Sequence, residues 1–461
     1  MPYAGEYASY GPLRRIAESE RVRDLLARSR VRKEDREKAP DILSLKADAT
    51  ANDWRPDFVL AIDGSHIEEK VEIGYPGAEV SYITIAAILL DLGKIGSLDQ
   101  ARPFDPREFR KTETAATIDS AMPGCNVVLN GEASARASLR RCLYELFERT
   151  KADEEGESLL QTYEALLDLK PEEHDQKCPY WQECDKPGCL YERGKGQYIT
   201  KCGMLRPLYS TDALRIHEGM ALGGSNGAMF AEIMQVLERL WIVHLLRMLE
   251  KNRWLSTLSR MAILLDGPLA VFGHPAWLAP AIRQELARLN SLTVKATRGE
   301  GLFLLGIEKS GEFAEHLQEL DKVPRYRDDL AVKAGRLPAG TAFLLTDDYI
   351  KRHIIVSSGG KPYGQDTYFG RKFFYKASSG ALLVATLPAY TESQRDMSRA
   401  EVDQFPRLTS AMTLLNAMAS TRYANALMPL VRAHAEAAIP LRLGDKVLKE
   451  LALKLMPRER A

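Results

Sequence analysis

Three carboxylates stand where a metal ion could be held. Asp63 closes the apolar run Phe58-Val59-Leu60-Ala61-Ile62 and is followed by Gly64-Ser65. Asp266 closes a second run, Met261-Ala262-Ile263-Leu264-Leu265, and is followed by Gly267. Between them, Glu238 lies in a long amphipathic segment. An acid at the C-terminal tip of a buried strand puts negative charge at a sheet edge, where α/β folds bind ligands. Asp-Gly after a strand is also ordinary turn chemistry, so one such pair says little. Two pairs flanking a helical Glu say more. They suit divalent cations, and the simplest use of two oxygen-bound ions roughly 4 Å apart is phosphodiester hydrolysis. Carboxylate-rich sites select Mg²⁺ or Mn²⁺.

On a helix, Phe230, Ile233, Met234, Leu237, Leu240, Trp241, Leu245 and Met248 form one apolar stripe. Glu238 borders that stripe beside Ala231, Ile242 and Leu245, while Glu232, Arg239 and Glu250 fall on the expected solvent face. A carboxylate there needs a cation or hydrogen bonds. The plainer alternative is an ion pair with a buried Arg, such as Arg247 or Arg215. A fourth ligand is available in His434, within the helical stretch Leu430–Ala438. Alone, such a His is more often a hydrogen-bonded core residue. As a ligand, its imidazole would tilt the preference towards Mn²⁺.

Four of the six cysteines, Cys178, Cys184, Cys189 and Cys202, fall in one loop-rich segment with Pro179, Pro187, Gly188, Gly194 and Gly196. Such clustering points to metal ligation and away from a disulfide framework. Four thiolates make a closed tetrahedral Zn²⁺ site, with an iron–sulfur cluster as the rival and free thiols as the plain alternative. His174 could replace one Cys. Interleaved Tyr180, Trp181, Tyr191, Arg193, Lys195, Tyr198 and Lys201 suit nucleic acid or simply cover the metal. Cys125 and Cys142 read as structural. A second basic and aromatic patch, Lys351-Arg352-His353 and Arg371-Lys372 to Lys376, reads either as a solvated strand edge or as a wall gripping DNA phosphates.

The elements that must position these residues are legible in outline. With 461 residues, 45% of them hydrophobic, the chain can bury a sizeable core and holds two or three domains. Lys+Arg and Asp+Glu are equal at 63 each, which excludes a whole-chain basic field for nucleic acid. No secretory leader opens the chain and no apolar window is long enough to span a bilayer, so a cytoplasmic protein is expected. A helical arm covers Leu13 to Lys38. Strands are expected at Phe58–Asp63, Tyr82–Leu90, the run ending at Asp266, Leu302–Ile307, Ala342–Leu345, Ile354–Ser357, Thr367–Tyr375 and Leu382–Thr386. Helices are expected at Ala133–Leu169, Ala228–Glu250, Trp277–Leu289 and from Ala411 to Met456. This pattern predicts one mixed α/β sheet carrying insertions. Its parts are an arm (1–54), a first half (55–170), a cysteine-rich insert (171–205) and a second half with C-terminal helices (206–461).

Asp63-Gly64-Ser65 after a strand, Leu265-Asp266-Gly267-Pro268-Leu269, Gly306-Ile307-Glu308-Lys309-Ser310 and Ala433-His434-Ala435-Glu436-Ala437-Ala438-Ile439-Pro440 together resemble the NurA nucleases. The resemblance runs from about residue 55 to 450, in the same order. It implies an RNase H-like fold and a Mn²⁺-dependent nuclease acting on DNA ends. It also implies a homodimer working with a HerA-type hexameric ATPase, in end resection or anti-phage defence. Carried over, it makes Asp63 and Asp266 metal ligands, Glu238 the helical Glu and His434 the C-terminal ligand. Because the cysteine insert precedes the Glu-bearing helix, Glu218 is a rival to Glu238. Lys309 becomes a phosphate contact, against the plain reading of a surface Lys. The expectation is a metal-dependent deoxyribonuclease. Its alternatives are an RNase H-like enzyme acting on RNA or hybrid, and a non-catalytic zinc-bearing docking subunit. The last predicts acids paired with basic side chains and more than about 8 Å apart.

Overall fold

The computed structural model describes residues 11–29, 41–72, 77–96, 113–171, 176–184, 188–202, 204–322, 336–419, 427–438 and 447–451. The chain forms two compact units, Met1–Asp41 and Ile42–Ala461. In the first, helices α1 (Gly11–Glu18) and α2 (Glu20–Arg28) are separated by Ser19, whose hydroxyl accepts the Val22 N–H. Ile16, Leu25 and Leu26 are exposed. The rest of the expected arm, to Lys38, lies outside the described residues.

The second unit is built on an eight-stranded sheet. Its strands are β1 (Phe58–Glu72), β2 (Ala78–Asp91), β3 (Glu113–Pro123), β6 (Met261–Asp266), β7 (Leu304–Glu308), β8 (Thr341–Leu344), β9 (Gly370–Lys376) and β10 (Leu382–Pro388), in the order β3-β2-β1-β6-β7-β10-β9-β8. A separate ribbon pairs β4 (Gln197–Ile199) with β5 (Pro207–Tyr209). β1, β2 and β3 run antiparallel, and β6 and β7 then run parallel to β1. That is the mixed sheet of an RNase H-like fold, as expected, with β10, β9 and β8 extending it antiparallel.

Alternation along the central strands sorts their side chains onto two faces. Ile62, Ile263, Leu265 and Leu304 enter one core with α3 (Ala135–Arg149), α4 (Leu159–Leu167), α5 (Gly227–Lys251) and α6 (Leu278–Ala296). Val59, Ala61, Ala262, Leu264 and Leu305 enter the other, with α7 (Leu408–Met418) and α8 (Met428–Ala437). Burial on both faces explains why β1 and β6 read as unbroken apolar runs. No helix among the described residues is long and apolar enough to cross a membrane.

Several expectations change. β1 does not stop at Asp63: paired with β2 throughout, it runs on to Glu72, and Asp63-Gly64 is strand, not turn. β3, an edge strand, was not expected, and it sends only Ile118 and Met122 into the core. Ile354–Ser357 is not a strand but the irregular segment after the short helix Asp347–His353. The C-terminal helix expected to be continuous is α7, α8 and a helical piece at 447–451, with the segments between them outside the described residues. Arg371, Lys372 and Lys376 are buried, so they form neither a solvated edge nor a groove wall. Arg371 donates to the carbonyls of Leu345, Gln394, Asp396 and Arg399, Lys372 to Glu308 at 2.8 Å, and Lys376 to Asp321 at 2.9 Å.

Candidate functional site

β6 pairs with β1 only as far as Ile62, opposite Leu265, and then ends at Asp266 while β1 continues. The two strands part there and leave a notch at the C-terminal ends of the parallel strands. Asp63 and Asp266 are the residues on either side of it. By strand parity both share the face of Val59, Ala61, Ala262 and Leu264, which α8 covers. α8 carries His434, whose Nδ1 lies 2.9 Å from Asp63 Oδ2. One donor atom each from Asp63, Asp266 and His434 lies within 4.8 Å of the others. Donors around one cation, at metal–ligand distances of about 2.0–2.5 Å, stand roughly 3–5 Å apart, so this set fits a divalent ion.

Gly64 has the opposite parity and faces α5. A Cβ there would meet Glu238 Oε1 at 2.7 Å, so the carboxyl occupies the space that glycine leaves. Glu238 thus reaches the notch from the other side of β1, and it does not belong to the three-donor group. It is buried and ion-paired with Arg239, which is itself buried, contrary to its expected place on the solvent face. The helix needs that guanidinium inside because the chain after Asp266 has carbonyls to satisfy. Arg239 donates to Ala270 O at 3.1 Å and Pro268 O at 3.3 Å. One turn back, the Gln235 amide donates to Phe272 O (2.9 Å) and accepts from Phe272 N–H (3.1 Å). Another turn back, Glu232 meets His274 Nδ1 at 3.1 Å. Residues 232, 235 and 239 share a helix face, and they zip the segment 266–274 along α5. The zip leaves the Phe272 ring partly exposed at the rim, packed edge-on to Tyr368. The sequence reading missed Arg239, Gln235 and Phe272; the 3-and-4 spacing of polar residues on α5 was the signal available.

Lys309, just beyond β7, forms an ion pair with Asp266. Glu218 stands elsewhere: its carboxylate is held by Arg215 at 2.9 and 3.1 Å, with His217 and His274 beside it. The electrostatics of the notch follow from burial and crowding. Burial, then the Asp266 charge, pushes the Asp63 carboxyl up to about 6, against the pull of Lys309 and His434. Burial pushes Glu238 up to about 7, more than Arg239 offsets, and the charges of Asp63 and Asp266 add to the rise. The site therefore holds more negative charge than its own cations balance. It takes both forms anticipated from the sequence, since Asp266 and Glu238 have basic partners while Asp63, Asp266 and His434 converge. A groove of about 530 Å³ between β3 and α3 contains none of them.

In the insert, Cys184, Cys189 and Cys202 also bring their sulfurs within 4.8 Å of one another, and Cys178 is buried beside them. His174 lies outside the described residues. Tyr180 is buried and Tyr191 and Tyr198 half-buried, so these rings cover the insert; Trp181 is exposed. Cys125 is buried and Cys142 half-buried, both as free thiols.

A family model described as the NurA domain matches residues 58–439. Among solved structures, the chain is similar to the NurA nuclease from Sulfolobus solfataricus, with 10% identity over 97% of this chain and 96% of that one, at a TM-score of 0.35. A further crystal structure of NurA is 12% identical over 97% of each chain, at 0.30. A structure of NurA with manganese is 12% identical over 96% of this chain and 99% of that one, at 0.25. Comparison with curated proteins gives no match.

Proposed function

The chain belongs to the NurA family of nucleases, and from that premise we propose that it is a manganese-dependent deoxyribonuclease cutting DNA at ends, as a homodimer fed by a HerA-type hexameric ATPase. The observation that carries the reading is the convergence of Asp63, Asp266 and His434 at the notch between β1 and β6. Two carboxylates and an imidazole favour Mn²⁺ over Mg²⁺. When bound, the cation supplies Lewis-acid activation of a phosphodiester and of the attacking water.

The chain's own residues do the rest. Asp63 is oriented by the Gly64 N–H at 2.9 Å and by His434, so its free lone pairs face the notch. Lys309 lies against Asp266 and, with that carboxylate turned to a cation, presents its ammonium to a phosphate oxygen as a point charge. Glu238 works from outside the ligand set, filling the space at Gly64 and anchoring Arg239, which fixes the segment after Asp266. Equal numbers of acidic and basic residues, 63 each, support delivery of DNA by a motor over capture by a basic field. We place the enzyme in the cytoplasm, in end resection or anti-phage defence. The zinc expected in the cysteine insert is structural on this reading and takes no part in hydrolysis.

The test is a substrate panel of linear and circular duplex, single-stranded DNA, RNA and RNA–DNA hybrid. Each is run with Mn²⁺, Mg²⁺ or EDTA, with and without the ATPase. Mn²⁺-dependent loss of linear DNA, faster with the ATPase, is the expected result. Preferential cutting of RNA or hybrid would replace the substrate assignment, and silence under every condition would leave the docking subunit.

A further inference from the structure

The cysteine insert has too little regular structure to hold itself together. Its strands β4 and β5 are three residues each, and an isolated two-stranded ribbon is at best marginal in water. Its own core is small: Cys178, Tyr180 and Leu208, with Cys189, Tyr198 and Met204 packed against them. Even so, the insert is pinned to the main unit at two defined places. Arg193 donates to Lys170 O at 2.8 Å and Pro171 O at 2.7 Å, satisfying carbonyls just past the end of α4. Tyr180 lies over the Arg140 guanidinium at 4.6 Å, and its hydroxyl donates to Pro207 O at 2.9 Å. Arg140 in turn makes two 2.7 Å bonds to Asp212, with both side chains buried. A small module that covers a buried ion pair needs a staple.

The four thiols supply one. All are free. Cys184, Cys189 and Cys202 form the close group, and Cys178 joins it through a thiol contact with Cys189 and its backbone N–H to Cys189 O at 3.0 Å. Cys189 also contacts Cys184, and Cys202 contacts both. Two disulfides would pull the sulfurs into separate pairs at about 2.05 Å. A mutual cluster suits one central ion instead: with Zn–S near 2.3 Å, tetrahedral geometry sets the sulfurs roughly 3.8 Å apart.

We infer that Cys178, Cys184, Cys189 and Cys202 bind one Zn²⁺ as a closed tetrathiolate, and that this ion locks the insert over the buried Arg140–Asp212 pair. All four coordination positions are filled by protein, so the ion is structural. Binding requires the thiols to give up their protons to solvent as the metal enters. No electron transfer is involved, and no co-reactant beyond the ion is needed.

The test is elemental analysis of the full chain, untagged and purified without chelators, beside Cys178→Ser, Cys189→Ser and Cys125→Ser. One zinc per chain is expected in the wild type and in Cys125→Ser, and less than a tenth of that in the other two. To keep the test independent of how the ligand variants fold, the folded wild type is also titrated with a mercurial in the presence of a chromogenic zinc indicator. Release of one zinc as four thiols react supports the site. Iron with visible charge-transfer absorption would overturn it, as would wild-type protein free of metal. Full zinc retention by folded Cys178→Ser would remove the fourth ligand. None of these readouts depends on DNA cleavage, so they stand apart from the nuclease assignment.

Discussion

His434 Nδ1 and Asp63 Oδ2 lie 2.9 Å apart across 371 residues of chain. One comes from the first strand of the sheet and the other from the last helix over its face, so the site is complete only when both ends of the second unit have folded. The Gly64 N–H holds one oxygen of Asp63, and His434 holds the other. Linking a buried acid to an exposed imidazole makes a donor set that is cheap to open to solvent and hard to balance without a cation.

Asp63→Asn should trade function for stability. A carboxyl raised from 3.8 to about 6 binds its proton more tightly in the folded state, so stability falls as pH rises through that window and the penalty is complete above it. At 1.36 kcal/mol per unit the penalty is on the order of 3 kcal/mol. In EDTA at pH 8, Asp63→Asn should therefore melt higher than wild type, while losing at least about 100-fold in metal affinity. Differential scanning calorimetry with and without Mn²⁺ checks both halves; a lower melting temperature in EDTA would contradict the first.

Lys309→Met separates phosphate binding from metal binding. Its ammonium lies against Asp266 and competes with a cation for that carboxylate. Removing it should leave Mn²⁺ affinity unchanged or raised, yet lower cleavage by about 10- to 100-fold, the equivalent of roughly 1.4–2.7 kcal/mol. Calorimetric Mn²⁺ titration beside cleavage rates decides it. A parallel fall in both would make Lys309 a structural partner of Asp266 only.

Gly64→Ala should destabilise by about 1–3 kcal/mol, because the new methyl overpacks the site. It would meet Glu238 Oε1 at 2.7 Å and Ile85 Cδ1 and Met234 Cγ at 2.8 Å. Gly360→Ala, with nothing within 4 Å, is the control and should be near neutral. Urea unfolding of the two variants provides the comparison.

Two kinds of information were present in the sequence, and a third was not. Asp266 was legible because β6 is buried on both faces, which leaves a pure apolar run with the acid at its tip. Asp63 was found by the same logic, but its strand runs on: where a strand ends depends on which neighbour leaves it, and β6 leaves β1 at Ile62 while β2 stays. Glu238 was legible from helical periodicity. Arg239 was not, since its charge says solvent and only the unsatisfied carbonyls of the 266–274 segment draw it inside. β3 stayed hidden because it is short of large apolar residues, sending only Ile118 and Met122 into the core. The face on which each acid lands, which puts Glu238 across β1 from the donor trio, is a matter of strand parity and register that no local pattern displays.

His244 should make stability fall in mild acid. Its Nε2 accepts the Ala152 N–H at 3.2 Å and its Nδ1 meets Thr162 Oγ1 at 2.8 Å, so one ring nitrogen has no room for a second proton. Burial holds the ring neutral and lowers its pKa from 6.5 to about 4. The unfolded chain then binds the extra proton between those values, so stability is whole above about 6.5 and is lost as pH drops towards 4, by up to about 3 kcal/mol. His244→Gln keeps a donor and an acceptor without a titrating group. Its unfolding free energy should fall less steeply than wild type over that range; parallel curves would show that His244 does not titrate there.

The most direct test counts bound Mn²⁺ by electron paramagnetic resonance and cut DNA on the same samples of wild type, Asp63→Asn, Asp266→Asn, His434→Ala and Glu218→Gln. The first three variants should lose bound manganese and cleavage together, while Glu218→Gln keeps both. Cleavage that survives in Asp266→Asn, or disappears in Glu218→Gln with manganese still bound, would contradict this expectation.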